Sequence, residues 1–118
     1  MSKDVLAFIG GGNMAAAIIG GLRASGRPAD SILVVDPGEA QREKLHADHG
    51  VRTFAAADAA LAFAAVVVWA VKPQLFQAAA APCATHIAGA LQLSVMAGIR
   101  SDAIARATGS QRVVRSMP

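Results

Sequence analysis

Short apolar runs alternate with segments of helical pattern along the whole chain. The first apolar run, Val5–Ile9, stops at three glycines, and an alanine-rich segment from residue 13 to about residue 25 follows it. Short continuous apolar runs are typical of strands that are buried on both faces of a parallel sheet, whereas the longer segment has the length and composition of a helix. The beginning of the chain therefore predicts a strand, a turn and a helix.

The same alternation continues to the end of the chain. Further strands are predicted at Ile32–Val35 and at residues 51–54, 65–71, 91–96 and 111–115. Further helices are predicted at Glu39–His49 and at residues 58–64, 74 to about 87 with a break at Pro82, and 101–107. Repeated strand–helix–strand units with short connections imply right-handed crossovers. The pattern predicts an α/β fold with a Rossmann-type, doubly wound parallel sheet in a three-layer α/β/α arrangement.

Three residues are expected to mark the ends of helices. Gly50 stands at a C-cap position, where glycine adopts the left-handed backbone conformation without strain. Asp58 and Ser101 are expected as N-caps, because their side chains accept a hydrogen bond from the first helical turn.

Composition indicates a single apolar-rich domain. The chain has 118 residues, which is enough for one domain and too few for two ordinary ones. Of these residues, 54% are hydrophobic and 16% are charged. The net charge of +3 comes from scattered basic residues, and there is no tyrosine, so nucleic-acid binding is not predicted. The uncharged segment from Pro73 to Ile99 contains prolines and polar residues, which argues against a membrane span.

The cysteine and the histidines of the chain do not indicate a metal site or acid–base catalysis. The single cysteine, Cys83, excludes an internal disulfide and a cysteine-based metal cage, and it fits a reducing, cytoplasmic location. His46 and His49 have no cysteine near them, and His86 has no obvious carboxylate partner. No metal ligand and no catalytic residue is therefore predicted.

The glycine loop after the first strand is the strongest functional signal. Gly10, Gly12 and Ala15 fit the G-x-G-x-x-G/A fingerprint of dinucleotide-binding folds. Gly10 is expected to make the tight turn, Gly12 to let a pyrophosphate approach the backbone, and Ala15 to keep the helix close to the sheet. The helix N-terminus offers N–H groups to the phosphates. The loop predicts dinucleotide binding, with a tight turn alone as the simpler alternative.

Asp36 ends the second predicted strand and permits two interpretations. An acidic residue there accepts hydrogen bonds from the adenosine ribose and favours NAD. Alternatively, Asp36 is the N-cap of the next helix, Pro37 its first residue and Glu39 the partner in a capping box. Arg42, one turn further on, meets a 2′-phosphate or belongs only to the surface of the helix.

Two further strand exits are expected at the same edge of the sheet. Ala70, Val71 and Lys72 close the fourth strand, with Pro73 at the first helical position. Lys72 faces the mouth of the crevice or is only a solvated lysine at a strand exit. Small residues after the fifth strand, at positions 94–98, would admit a nicotinamide ribose or would only form a turn.

Four segments together resemble pyrroline-5-carboxylate reductase, the enzyme family of the last step of proline synthesis. They are residues 8–15, 70–73, 94–99 and 114–118, in the family's order and spacing. The glycine loop is generic, whereas Ala-Val-Lys-Pro and the terminal Arg-Ser-Met-Pro are more specific. The resemblance implies the NAD(P)H-binding part of an enzyme that transfers a hydride to 1-pyrroline-5-carboxylate and forms proline.

The resemblance also implies a set of cofactor-binding residues. They are Ile9, Gly10, Gly11, Gly12, Asn13, Met14, Asp36, Ala70, Val71, Lys72 and Ala97. Some family members have serine or Asn-Arg at the position of Asp36, so the acidic residue favours NAD here without excluding NADP. Some members have an asparagine near position 57, where this chain has Ala57.

The resemblance covers the whole chain but only part of the family's enzyme. Family members continue into a helical domain that forms the homo-oligomer and much of the substrate pocket, whereas this chain ends inside the family's Met-Pro-Asn-Thr-Pro-like segment. We therefore expect residues 1–118 to form one NAD(P)-binding domain that lacks the C-terminal domain and is inactive alone. A stand-alone dinucleotide-binding regulatory module and a related imine or β-hydroxyacid reductase are the alternatives.

Overall fold

Six parallel strands form one sheet in the computed structural model, which describes residues 5–96, 99–110 and 112–115. The strands are β1 (Val5–Ile9), β2 (Ile32–Val35), β3 (Arg52–Phe54), β4 (Ala64–Trp69), β5 (Leu91–Ser94) and β6 (Val113–Arg115). Their order is β3-β2-β1-β4-β5-β6, and all five neighbouring pairs are parallel. This is the strand order of the Rossmann fold, so the predicted fold class is confirmed.

Along the chain, helices alternate with the strands, as the sequence pattern predicts. The α-helices are α1 (Asn13–Ala24), α2 (Glu39–His49), α3 (Phe76–Ala80), α4 (Ala84–Ile87) and α5 (Ser101–Thr108), and short 3₁₀ helices occupy Ala29–Ser31, Ala59–Phe63 and Pro73–Leu75. The short helix predicted at residues 58–64 is thus a 3₁₀ helix, the form that short connecting turns commonly take.

The long helix predicted from residue 74 to about 87 is interrupted around Pro82. Proline has no N–H to continue the helical ladder, so α3 ends at Ala80 and α4 begins at Ala84. Across the break, the Cys83 N–H donates to the Ala80 carbonyl at 3.0 Å. The predicted interruption at Pro82 is confirmed.

Two of the three predicted helix caps are confirmed. Gly50 has φ of +72° after α2, and the Asp58 carboxylate accepts from the Ala60 N–H at 2.9 Å. The prediction for Ser101 is wrong: the extended residue before α5 is Arg100, and Ser101 already belongs to the helix. The first turn of α5 instead contains Asp102, whose negative charge the helix dipole favours there.

Apolar side chains cover both faces of the sheet. Ile19 of α1 and Leu45 of α2 pack with Phe8 on one face. Phe76 of α3, Ile87 of α4 and Ile104 of α5 belong to the cluster on the other face. This arrangement is the predicted three-layer α/β/α sandwich, and it places the loops after β1, β2 and β4 at the carboxyl edge of the sheet.

In the described part of the chain, no helix has the length and apolarity needed to cross a membrane.

Candidate functional site

A crevice of about 580 Å³ opens at the carboxyl edge of the sheet. This volume is within the range of small-molecule sites in proteins. Most of the predicted cofactor-binding residues line it: Ile9, Gly10, Gly11, Gly12, Asp36, Ala70, Val71 and Lys72. Asn13 and Met14 are exposed in the first turn of α1 and do not line the crevice, while Ala97 lies outside the described residues.

Gly10 makes the tight turn between β1 and the rest of the loop. Its φ of +101° is a conformation that other residues rarely adopt, and a Cβ atom there would lie 2.7 Å from the Ala70 carbonyl oxygen. Its N–H donates to the Val35 carbonyl at 2.8 Å, which joins the loop to the end of β2. The protein itself therefore requires glycine at this position.

Gly12 has a different environment. Its φ of −76° suits any residue, and a Cβ atom there would meet no protein atom within 4 Å. The absence of a side chain at Gly12 therefore leaves open space at the crevice.

The N-terminus of α1 suits an anion. Gly12 is the N-cap, no side chain caps the helix, and its first turn contains no acidic residue. The first N–H groups of a helix have no intrahelical acceptor, and the helix dipole favours negative charge there by about 0.3–1 kcal/mol in exposed geometry. With the open space at Gly12, this arrangement fits a phosphate group.

The Asp36 carboxylate connects β2 to the glycine loop. Its Oδ2 accepts from the Gly11 N–H at 2.7 Å, and its Oδ1 accepts from the Gly38 N–H at 2.7 Å. A carboxylate oxygen has two acceptor positions, so a further hydrogen bond from a hydroxyl group remains feasible. The capping-box interpretation is wrong, because α2 begins at Glu39 with Gly38 as its N-cap and Pro37 outside the helix.

Two side chains in the first turns of α2 reach the neighbouring backbone. The Arg42 guanidinium donates from Nη1 to the Asp36 carbonyl oxygen at 2.9 Å. The Gln41 amide donates to the Gly11 carbonyl oxygen. Gln41 was not predicted from the sequence, since a glutamine on a charged helix carries no signal for a contact with a distant loop.

The exit of β4 forms the next wall of the crevice. Ala70 and Val71 are half-buried, and exposed Lys72 precedes the 3₁₀ helix Pro73–Leu75, whose first residue is the predicted Pro73. At the exit of β5, the Ser94 hydroxyl accepts from the Met96 N–H at 3.1 Å. Ser94 thus forms a local turn. Residues 97 and 98, which follow Met96, lie outside the described part of the chain.

Most of the remaining wall residues of the crevice were not predicted. Residues 55–57 follow β3, and a set beyond β4 consists of Leu75, Ala78, Ala79, Pro82 and Cys83. The second set has spacings of three and four residues, which place its members on one helical face. This signal was available in the sequence. Ala57 offers only a methyl group to the crevice.

Cys83 belongs to this wall and is almost completely buried, at 1% exposure. Burial raises the pKa of its thiol above the usual value. Since the thiolate is the reactive form of cysteine, Cys83 acts here as a small apolar residue.

A profile of the family described as "NADP oxidoreductase coenzyme F420-dependent" matches residues 5–98. Among curated proteins, the chain is 42% identical to pyrroline-5-carboxylate reductase of Pseudomonas aeruginosa, over all of this chain and 44% of that protein. The corresponding protein of Thermus thermophilus is 39% identical, over 96% of this chain and 42% of its own length. The chain therefore spans less than half the length of these relatives.

Solved structures agree with this similarity. A pyrroline-5-carboxylate reductase from Coxiella burnetii has a TM-score of 0.88 at 31% identity, over 99% of this chain and 44% of that one. The Plasmodium falciparum pyrroline carboxylate reductase with NADP bound has a TM-score of 0.79 at 20% identity, over 100% of this chain and 43% of that one. The latter comparison supports the fold alone.

Proposed function

The chain belongs to the family described as "NADP oxidoreductase coenzyme F420-dependent", and from this membership we propose that it is the dinucleotide-binding part of a pyrroline-5-carboxylate reductase. The observation that carries the proposal is the free space at Gly12 in front of an uncapped helix N-terminus. A pyrophosphate requires such exposed N–H groups and the absence of a side chain. The similarity to pyrroline-5-carboxylate reductases supplies the reaction class.

Different residues around the crevice would bind different parts of NADP or NAD. Gly12, Asn13 and Met14 would offer N–H groups to the pyrophosphate, and Asp36 would meet the adenosine ribose. Ala70, Val71 and Lys72 would lie toward the nicotinamide, with Ala97 proposed from sequence only. When bound, the reduced nicotinamide supplies a hydride to the imine carbon of 1-pyrroline-5-carboxylate. We assign no proton-transfer role to a residue of this chain.

Partners and location are part of the same proposal. We propose that the enzyme is cytoplasmic and makes proline from 1-pyrroline-5-carboxylate. We further propose that a protein with this domain and the full length of its relatives forms a homo-oligomer. The support is the similarity to relatives of that name and the presence of a single cysteine, Cys83, which is buried.

Binding of the reduced cofactor tests the proposal directly. Trp69 is the only tryptophan and lies one residue before crevice-lining Ala70, so bound NADPH should accept excitation energy from it. We expect saturable energy transfer from Trp69 to NADPH, and no oxidation of NADPH when 1-pyrroline-5-carboxylate is added to the chain alone. Absence of any transfer at millimolar NADPH would contradict the proposed function.

The Asp36→Ser substitution tests the choice between the two cofactors. Removal of the carboxylate eliminates repulsion of a 2′-phosphate, and the Arg42 guanidinium lies close to the same strand end. Both affinities should fall, because Gly11 and Gly38 lose their acceptor, but the ratio of NADPH to NADH affinity should rise about tenfold. Titrations with the two nucleotides measure this ratio. An unchanged ratio would mean that Asp36 only supports the loop.

A further inference from the structure

Side chains hold both peptide units of Gly11: Gln41 of α2 binds the unit that joins Gly11 to Gly12, and Asp36 after β2 binds the preceding unit. The Gln41 amide donates to the Gly11 carbonyl oxygen, and the Asp36 carboxylate accepts from the Gly11 N–H at 2.7 Å. Gly11 is also packed against this helix, since a Cβ atom there would lie 2.9 Å from Leu45 Cδ1. Both polar groups of Gly11 therefore have partners in the protein.

The orientation of the Gly11 carbonyl determines the direction of the next N–H group. In a trans peptide the carbonyl of one residue and the N–H of the following residue point in opposite directions. The described residues contain no cis peptide. Because the Gly11 carbonyl points to Gln41, the Gly12 N–H points away from it, and Gly12 lines the crevice.

Glycine on both sides of this peptide makes its rotation inexpensive. Turning the peptide plane changes ψ of Gly11 and φ of Gly12, and neither residue has a Cβ atom that restricts these angles. A rotated peptide would present the Gly11 carbonyl oxygen where the N–H group had been. An acceptor at that place repels a phosphate oxygen, so the loop needs a group that holds the productive orientation.

We propose that Gln41 is a positioning residue for phosphate binding: its amide holds the Gly11 carbonyl and thereby keeps the Gly12 N–H directed at the ligand. The proposal rests on the proposed function, because the ligand is the dinucleotide assigned there. Gln41 does not line the crevice, so it acts through Gly11 rather than by contact with the ligand.

Two substitutions at this position separate the hydrogen bond from the size of the side chain. Gln41→Leu removes the donor, and we expect NADPH affinity to fall about fivefold. Gln41→Glu keeps the shape, but its carboxylate repels the Gly11 carbonyl and accepts the Gly12 N–H of the rotated peptide. We expect this variant to bind NADPH about thirtyfold more weakly than the wild type.

Gln77→Glu is the matched control for the added negative charge. Gln77 is exposed on α3 and does not line the crevice. We expect the Gln77→Glu variant to bind NADPH with an affinity within about twofold of that of the wild type. All variants should keep the thermal midpoint of the wild type within about 4 °C, which separates positioning from a general loss of structure.

A second readout needs no ligand. Loss of a hydrogen bond to a carbonyl oxygen moves its ¹³C resonance upfield, so the Gly11 carbonyl resonance should shift in Gln41→Leu and stay in place in Gln77→Glu. Wild-type NADPH affinity in both Gln41 variants, or an unmoved Gly11 resonance, would overturn the proposal. If the wild type itself does not bind NADPH, the proposed function fails, while the Gly11 resonance still decides whether Gln41 holds the peptide.

Discussion

Replacement of Gly10 by alanine is expected to lower the free energy of unfolding by about 3 kcal/mol. Two costs add up at this position. The φ of +101° strains any residue with a Cβ atom, and that atom would lie 2.7 Å from the Ala70 carbonyl oxygen. Because the obstructing atom belongs to the backbone of the strand exit, relief requires movement of the loop or of the end of β4.

Gly12→Ala is the matched control, since it makes the same chemical change two residues away. Its backbone conformation suits alanine and its Cβ atom would meet no protein atom within 4 Å. We expect a change in stability of at most about 0.5 kcal/mol, together with weaker NADPH binding. Urea unfolding followed by far-ultraviolet circular dichroism measures both variants. Equal unfolding midpoints for Gly10→Ala and the wild type would contradict this account of the turn.

The second large effect is expected at Gln92, which is completely buried in β5. Its Oε1 accepts from the Trp69 indole N–H at 2.7 Å, and its Nε2 donates to the Ile87 and Ala90 carbonyl oxygens at 2.9 and 3.1 Å. These bonds join β4, β5, the end of α4 and the segment that follows α4. In the described part of the chain, no buried side-chain nitrogen or oxygen lacks a partner.

Gln92→Leu should lower the free energy of unfolding by about 2–3 kcal/mol. The two carbonyl oxygens keep other donors, from Ala90 N–H and the Ser110 hydroxyl, whereas the Trp69 N–H is left without its acceptor. Trp69→Phe in the Gln92→Leu background removes that N–H, so the double variant should lose less stability than the sum of the single variants. If the losses of stability of the two single variants sum to that of the double variant, as measured by urea unfolding, the Trp69–Gln92 bond is not the cause of the destabilisation by Gln92→Leu.

The fold was largely predictable from the sequence because its signals are local and strong. The apolar runs at Val5–Ile9 and Ile32–Val35 predict strands with their observed ends, and Gly50 marks the end of α2 through the conformation that glycine favours. Pro82 indicates the break between α3 and α4 for an equally local reason, the missing N–H. The N-cap of α5 was missed because the observed N-cap, Arg100, makes no side-chain capping bond and therefore has no recognisable signal in the sequence.

The candidate site was predictable only where single strands end. The parallel pattern places the residues after β1, β2 and β4 at one edge, so Gly10, Asp36 and Lys72 were expected near each other. The contact between Gln41 and Gly11 depends on how α2 packs against the loop, and no local pattern encodes that packing. The bond from the Gly11 N–H to the Asp36 carboxylate was hidden for the same reason, whereas the bond from the Gly38 N–H is a local turn within Asp-Pro-Gly.

The central claim is that a dinucleotide binds with its phosphates at Gly12 and the N-terminus of α1. Titration of the ¹⁵N-labelled chain with NADP⁺, followed by amide resonances, tests it most directly. We predict saturable shifts that are largest for Gly11, Gly12 and the first turn of α1, with smaller ones at Val71 and Lys72. Saturable shifts confined to other parts of the molecule, such as α5 and β6, or no shifts at all, would contradict the claim.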